Sequence, residues 1–332
     1  MAEHQILLLG LGFWGSKWLE AVSKRDDCEL AGMAAASEQS IDRVAQQFSL
    51  PAERGYVGYQ EAIDRTDAEI VIIAIPTEYH TDAAKLALAR GMHVLSEKPL
   101  AANMEQADEI LELKQTYPDQ KYLVDQNYRW RSHNQTLKRA IAEGMIGQPG
   151  TVHIEFRQPE DLLGYREFLE MPLLQDVSIH HFDLVRFLCG CNCQEVFAHS
   201  YRPRWSKFPG KPATEAVMRM ESGITVNYNG TWAARGRPTS WDGEITVTGD
   251  KGCLKLDSQG LVRYFAPGDV GGEIVEPVQM QLTELDYALD MMIRCIEQDD
   301  QPETSIEDNY HSLAMVCAAE QSARSNLPVR LA

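Results

Sequence analysis

The chain reads as an α/β protein of two domains, a doubly wound parallel sheet over residues 1–125 and an α+β domain with a largely antiparallel sheet over residues 126–332. Three observations predict this. Short apolar runs alternate with amphipathic stretches through the first part, as parallel strands joined by helices do. A glycine cluster, Gly10-Leu11-Gly12-Phe13-Trp14-Gly15, stands where the first strand passes into the first helix. Beyond Gly147–Gly150 the hydrophobic period changes toward two, and turn signals separate the strands.

The elements follow in order. Gln5–Gly10 is a buried strand and Phe13–Lys24 a helix. Glu29–Ala35 is a second strand, followed by a polar helix over Ile41–Phe48. Glu69–Ile75 is a β-branched run bounded by Asp67 and Pro76, and Thr81–Arg90 is a helix stopped by Gly91, a residue free to take the left-handed turn of a helix end. His93–Ser96 and Tyr122–Asp125 are strands on either side of a helix over Met104–Thr116. In the second part, residues 151–158 alternate as a strand, 176–189 are helical, and strands broken by SG, RGRP, DG and SQG fill 195–266. Helices over 283–298 and 307–325 close the chain, and these are expected to pack back on the first domain.

Composition narrows the function. Hydrophobic residues make up 44% and charged residues 24% of 332, an ordinary globular balance. The formal charge is -18, with -7 in residues 1–150, -2 in 151–270 and -9 in 271–332. An acidic surface repels phosphate backbones and anionic headgroups, so neither nucleic acid nor membrane is the expected partner. No sorting signal is evident at the N-terminus, no stretch reaches the ~18–20 apolar residues of a membrane span, and a cytoplasmic location is expected. Seven cysteines at irregular spacing read as reduced thiols, and Cys189-Gly190-Cys191-Asn192-Cys193 lacks the second half of a metal site, so no metal is expected.

The glycine cluster carries the first chemistry. In G-x-G-x-x-G after a strand, the first glycine permits the turn, the second lets backbone approach a pyrophosphate, and the third lets the helix pack closely. Gly10, Gly12 and Gly15 stand in that context. The end of the second strand normally carries a carboxylate for the ribose hydroxyls. Here it is Ala35, followed by Ala36 and Ser37, so NADP is permitted without being demanded. Arg43 is the nearest base, about two helical turns on, while Glu38 could still reach the ribose and favour NAD. Two further segments, Ile75-Pro76-Thr77-Glu78-Tyr79-His80 and His93–Leu100, leave carboxyl ends of parallel strands, where doubly wound folds bind ligands. Taken alone, Lys98 beside Pro99 is also what a solvated loop looks like.

Gly10-x-Gly12-x-x-Gly15, Ala74–His80 (AIPTEYH), the Glu97-Lys98-Pro99 box and Asp176-x-x-x-His180-x-x-Asp183, in this order, resemble the glucose–fructose oxidoreductase / inositol dehydrogenase / rhizopine-catabolism (Gfo/Idh/MocA) family. The resemblance spans the chain. It implies a Rossmann domain followed by a domain with a large open-faced sheet, used in a homodimer or homotetramer. It implies NAD or NADP as cofactor, contacted by Gly10, Gly12, Phe13, Trp14 and Gly15, by Ala35 and Ser37, by Pro76, Thr77 and His80, and by Glu97 and Lys98. It implies catalysis by Lys98, Asp176 and His180. Asp176 and His180 are i and i+4 on the expected helix and so share a face. Asp183 is a candidate for a substrate hydroxyl, and Arg129, Tyr165 and Arg166 are further candidate substrate contacts, although either arginine could equally serve an ion pair at a domain interface. His181 is expected to be structural.

The activity implied is hydride transfer between nicotinamide C4 and a carbinol carbon of a sugar, cyclitol or related polyol. Two other classes remain: glycoside hydrolysis through transient oxidation by a retained NAD, and a non-catalytic cofactor-binding sensor. Departures from the pattern fall at Glu170-Met171-Pro172-Leu173-Leu174-Gln175, where relatives are rich in glycine, and at Tyr165-Arg166 in place of Trp-Arg. A bulkier, proline-stiffened approach to Asp176 reshapes a pocket wall, so substrate identity is not carried over.

Overall fold

The computed structural model describes residues 3–160 and 164–331, the side chain of Tyr165 excepted, and places them in two compact units, Met1–Asn127 with Leu282–Tyr310 and Tyr128–Gln281 with His311–Ala332. The first unit runs β1 (His4–Leu9), α1 (Phe13–Ser23), β2 (Cys28–Ala35), α2 (Glu38–Phe48), β3 (Gly55–Val57), α3 (Tyr59–Arg65), β4 (Ile70–Ile73), α4 (His80–Ala89), β5 (His93–Ser96), α5 (Met104–Thr116) and β6 (Tyr122–Val124). All six strands pair in parallel in the order β3-β2-β1-β4-β5-β6. Covered on both faces, Ile6–Leu9 of β1 and Ile70–Ile73 of β4 read as unbroken apolar runs and are buried throughout. The order reverses between β1 and β4, so the ligand crevice of this unit lies at their carboxyl ends. The sequence reading passed over β3 and α3. β3 is a three-residue edge strand and α3 only seven residues, both too short to show a period.

The second unit runs α6 (Ser132–Ala142), β7 (Pro149–Arg157), α7 (Ser178–Cys189), β8 (Cys193–Tyr201), β9 (Ala213–Met220), β10 (Thr225–Thr231), β11 (Glu244–Gly249), β12 (Gly252–Leu256), β13 (Val262–Phe265) and β14 (Glu273–Ile274). The chain then returns to the first unit with α8 (Glu284–Glu297), where Lys24 and Arg25 pair with Asp286 and Asp290. α9 (Ile306–Ser325) begins in that unit and runs into the second, which ends with β15 (Val329–Arg330). The nine strands follow the order β14-β13-β12-β11-β7-β10-β9-β8-β15 and are antiparallel except for the β7–β10 pair.

One face of this sheet is core. Ile154, Phe156, Met218, Val226, Tyr228 and Ile245 pack with Phe182, Val185 and Leu188 of α7. The other face is open, and there Phe197, Tyr201 and Val217 are exposed. α6 was also passed over in the sequence, although it is amphipathic, with Leu137 and Ala140 buried. The helix expected from residue 176 begins instead with a π turn over Leu173–Val177, and α proper starts at Ser178. No described helix is long and apolar enough to cross a membrane.

Candidate functional site

In the first unit the candidate residues gather at the carboxyl ends of β2, β1, β4 and β5, tied by Gly10 N–H to Ala34 O (2.9 Å), Ala74 N–H to Leu9 O (2.7 Å) and Glu97 N–H to Ile73 O (2.8 Å). The three glycines do different work. Gly10 has φ +99°, and a Cβ there would lie 2.2 Å from the Ala74 carbonyl oxygen. A Cβ on Gly15 would lie 1.9 Å from the Gly10 carbonyl oxygen, so the helix could not pack against its own loop. On Gly12 a Cβ would meet nothing within 4 Å. The space over Gly12 is open, and α1 starts there with no side-chain cap and no acid in its first turn. Uncapped amides facing an open cradle suit the pyrophosphate of a dinucleotide, so the residues present fit that cofactor. Phe13 and Trp14 flank the cradle, exposed, with their rings edge to face at 5.2 Å.

At the end of β2, Ala35 offers no charge, and Ser37 caps α2, its Oγ accepting from the Ser40 N–H. Arg43, two turns along α2, reaches back so that its Nη2 donates to the Leu11 carbonyl at 3.1 Å. Distance along the sequence hid this approach.

Pro76 is exposed and Thr77 half-buried at the end of β4. His80, placed in the sequence among the cofactor contacts, is 1% exposed, and its ring faces two carbonyls, Pro99 O at Nδ1 (3.0 Å) and Ile75 O at Nε2 (2.9 Å). Burial pulls its pKa down against those carbonyls. His80 thus joins the loop after β4 to the Lys98-Pro99 loop, with Ser96 Oγ a further 3.4 Å neighbour of Nδ1. Glu97 is likewise buried, accepting from Trp18 Nε1 at 2.9 Å, and burial raises its pKa. It anchors the box to α1, while Lys98 is half-buried beside it. The sequence also passed over Gln126 and Asn127, which follow β6. Both amide atoms of Gln126 and the Asn127 Oδ1 are buried with no partner among the described residues. Polar residues directly after a parallel strand were the available signal.

In the second unit, Asp176 lies on the π turn and His180 in the first turn of α7. The four-residue step from Asp176 to His180 therefore crosses from the π turn into α7. Arg166 Nε donates to Asp176 Oδ2 at 2.7 Å, and its guanidinium lies over Trp232, 5.4 Å from the ring centroid. His180 stacks on Tyr128 at 4.1 Å and 7° between planes, and the Arg131 guanidinium sits 3.7 Å from the centroid of the same phenol. Tyr128 and Arg131 were missed, although they flank the Arg129 that the sequence reading chose. The Tyr165 side chain lies outside the described residues.

Arg129 forms an ion pair, one of the two roles open to it in the sequence, and its partner is Asp183. They form a buried bidentate pair at 2.6 and 2.7 Å, and Ser312 Oγ donates to Asp183 Oδ1 at 2.7 Å. With side chains 5% and 1% exposed, they hold α7 in the frame. His181 is fully buried between Tyr228 OH (3.0 Å, Nδ1) and the Trp241 carbonyl (2.9 Å, Nε2), and burial brings its pKa down to about 4. Asp242 faces Arg131, His133 and Asn134. Burial alone would raise it, but these donors bring it down to about 2. Burial lifts the Cys189 thiol to about 12 and Cys193 to about 11, so both stay protonated at neutral pH.

The chain was compared with known proteins. The family described as "Oxidoreductase family, NAD-binding Rossmann fold" matches residues 4–125, and the GFO/IDH/MocA C-terminal domain matches 134–255. A D-apiose dehydrogenase of Paraburkholderia graminis is 25% identical over 98% of this chain and 88% of its own. A myo-inositol 2-dehydrogenase of Thermotoga maritima is 26% identical over 98% of each. An Agrobacterium radiobacter oxidoreductase, solved with NAD+, L-tartaric acid and magnesium, superposes with a TM-score of 0.88 at 20% identity, covering 99% of this chain and 98% of that one. With both family descriptions matched in chain order, and together covering most of its length, this protein belongs to the GFO/IDH/MocA family of oxidoreductases.

Proposed function

We propose that the chain oxidises or reduces a carbinol carbon of a sugar, cyclitol or related polyol. The observation that carries this is the glycine loop, closed by backbone at Gly10 and Gly15 and open over Gly12 at the bare start of α1. The dehydrogenases of apiose and inositol among its relatives support a polyol. When bound, the dinucleotide supplies the hydride acceptor or donor at nicotinamide C4. Lys98 holds the substrate oxygen with its ammonium group. His180, its plane set by Tyr128, accepts the hydroxyl proton on oxidation and returns it on reduction. Asp176 balances the charge that His180 gains, with Arg166 fixing one carboxylate oxygen. The test is absorbance at 340 nm with NAD+ and NADP+ across sugars and polyols. Wild type should turn over, and Lys98→Ala and His180→Ala should each lose at least a hundredfold in kcat. Full activity in both variants removes these roles.

For the cofactor we favour NADP. Ala35 presents no carboxylate to a 2'-phosphate, Arg43 lies on the glycine loop, and the Ser37 and Ser40 hydroxyls stand 3.1 Å apart at the start of α2. Glu38, exposed in the same turn, is the opposing charge. Calorimetric titration should give a lower Kd for NADP+ than for NAD+, and Arg43→Ala should weaken only NADP+, by tenfold or more. Equal loss for both dinucleotides defeats the assignment. We further place a homo-oligomer contact on the open face of the second sheet, supported by exposed Phe197 and Val217. Light scattering of Phe197→Glu should show a smaller species than wild type.

A further inference from the structure

We propose that the substrate carries an anionic group, phosphate or carboxylate, remote from the reacting carbon and held by a basic rim in the second unit. This rests on the dehydrogenase reading above. The chain has net charge -18, yet residues 201–211 hold Arg202, Arg204, Lys207 and Lys211, and residues 231–240 hold Arg235 and Arg237, with no carboxylate in either stretch. The two loops lie together. Trp205 Nε1 donates to the Ala233 carbonyl at 2.8 Å, and Arg235 Nη2 to the Trp205 carbonyl at 3.4 Å. Among the described residues only Arg237 of the six meets a carboxylate, Glu244 at 2.6 Å.

The rim is built in advance. Buried Glu160 accepts from Ser206 Oγ and from the Lys207 N–H (2.8 Å), Ser206 Oγ accepts from the Phe208 N–H (3.1 Å), and Arg202 Nη2 donates to the Ser206 carbonyl (3.1 Å). Phe208 is fully buried and lies 6.0 Å from Trp232. A buried carboxylate thus holds a loop whose exposed groups are cations around Trp205, itself 55% exposed. Order of this kind lowers the entropic cost of gripping an anion, and guanidinium forks match phosphate and carboxylate oxygens.

The rim also borders the proposed chemistry. The Trp232 that packs on Phe208 carries Arg166 on its ring, and Arg166 holds Asp176. The Lys211 N–H donates to the Glu170 carbonyl at 2.7 Å, joining the rim to the segment that leads into the π turn. An anion on Arg204, Lys207 and Arg235 therefore belongs to a molecule whose other end reaches Asp176. A local excess of positive charge on an acidic protein also draws such a molecule toward this edge.

The experiment is calorimetry on the whole protein with glucose 6-phosphate, UDP-glucose and glucuronate, against glucose, myo-inositol and sulfate. At least one sugar anion should bind tenfold or more tightly than its neutral parent and than sulfate, and weaken with added KCl. Arg204→Ala/Arg235→Ala should lose tenfold or more for that anion, and Arg204→Lys/Arg235→Lys should recover part of it, with dinucleotide Kd and Tm unchanged. Whether phosphate or carboxylate is preferred follows from which probe wins. No anion exceeding its neutral parent, sulfate binding as well as the best sugar anion, or full affinity in the double alanine variant overturns the proposal. So does an oligomer that the alanine variant splits while anion affinity stays whole. Dinucleotide titration separates the two readings: if neither NAD+ nor NADP+ binds, the dehydrogenase reading fails, and the sugar-anion results still judge the rim.

Discussion

At the glycine loop the first unit holds its candidate groups with backbone, whereas around α7 the second unit holds its own with charge. Gly10, Gly12 and Gly15 lie within six residues, His80 is clamped by two carbonyls, and Glu97 leans on an indole N–H. In the second unit, Arg166 meets Asp176, Arg129 meets Asp183, and Arg131 meets Asp242 across 111 residues. Backbone positioning is local and unforgiving of added atoms. Charge positioning is long-range and unforgiving of a lost partner. Each half should therefore break under a different kind of substitution.

The largest effect is expected at Gly15. Gly15→Ala forces a methyl into the Gly10 carbonyl, and overpacking costs ~1–3 kcal/mol where neighbours can yield, more against backbone. Dinucleotide binding should be lost beyond a hundredfold, with a clear fall in Tm. Gly12→Ala meets nothing in the protein, so Tm should hold while dinucleotide affinity drops. If both variants behave alike, the cradle over Gly12 is not where the cofactor lies.

Next comes the buried pair. Asp183→Asn takes the bidentate carboxylate away from buried Arg129, a loss of ~3–5 kcal/mol in urea unfolding. Arg129→Met/Asp183→Leu should recover much of this. A loss under 1 kcal/mol would return Asp183 to the candidates for substrate contact.

The third test uses pH. His181 is brought down to about 4 from an ordinary 6.5 by burial. The unfolded chain takes up the proton first, so stability is full above pH 6.5 and declines as pH falls toward 4, by roughly 3 kcal/mol at 1.36 kcal/mol per pH unit. Asp242 adds a lower limb. Stability present above pH 3.8 is lost as pH falls through about 2, by roughly 2 kcal/mol. His181→Gln should flatten the upper limb and leave the lower one, and Asp242→Asn the reverse. Urea midpoints that stay constant from pH 6.5 to 4 would remove the account of His181.

The same contrast explains what was legible. The parallel sheet could be read because Ile6–Leu9 of β1 and all of β4 are apolar, and the cradle because three glycines and a helix start are adjacent. β3 and α3 could not, since three and seven residues carry no period. In the second unit, Asp176 and His180 stood out by spacing, yet the π turn that sets their register, behind Pro172, left no helical break in the pattern. Asp183 looked like a ligand from its place beside His180. The partners that engage the carboxylate, Arg129 and Ser312, lie 54 and 129 residues away. His80 is the same case on a smaller scale, because the carbonyls it faces lie on separate loops.

His80 supplies the smallest and most discriminating test, since there a single ring faces backbone carbonyls of two loops. His80→Phe keeps the ring's bulk and removes the one hydrogen bond to a carbonyl that a neutral imidazole can donate, costing about 1–2 kcal/mol in stability. If the clamp positions Lys98, kcat should fall about tenfold while dinucleotide Kd stays within twofold, because Gly10–Gly15 are untouched. His80→Gln, whose amide can donate to one carbonyl, should recover part of kcat. A drop in Tm with kcat unchanged would make His80 a packing residue alone. It would also mean that Lys98 is held by the Glu97–Trp18 anchor without help from the loop after β4.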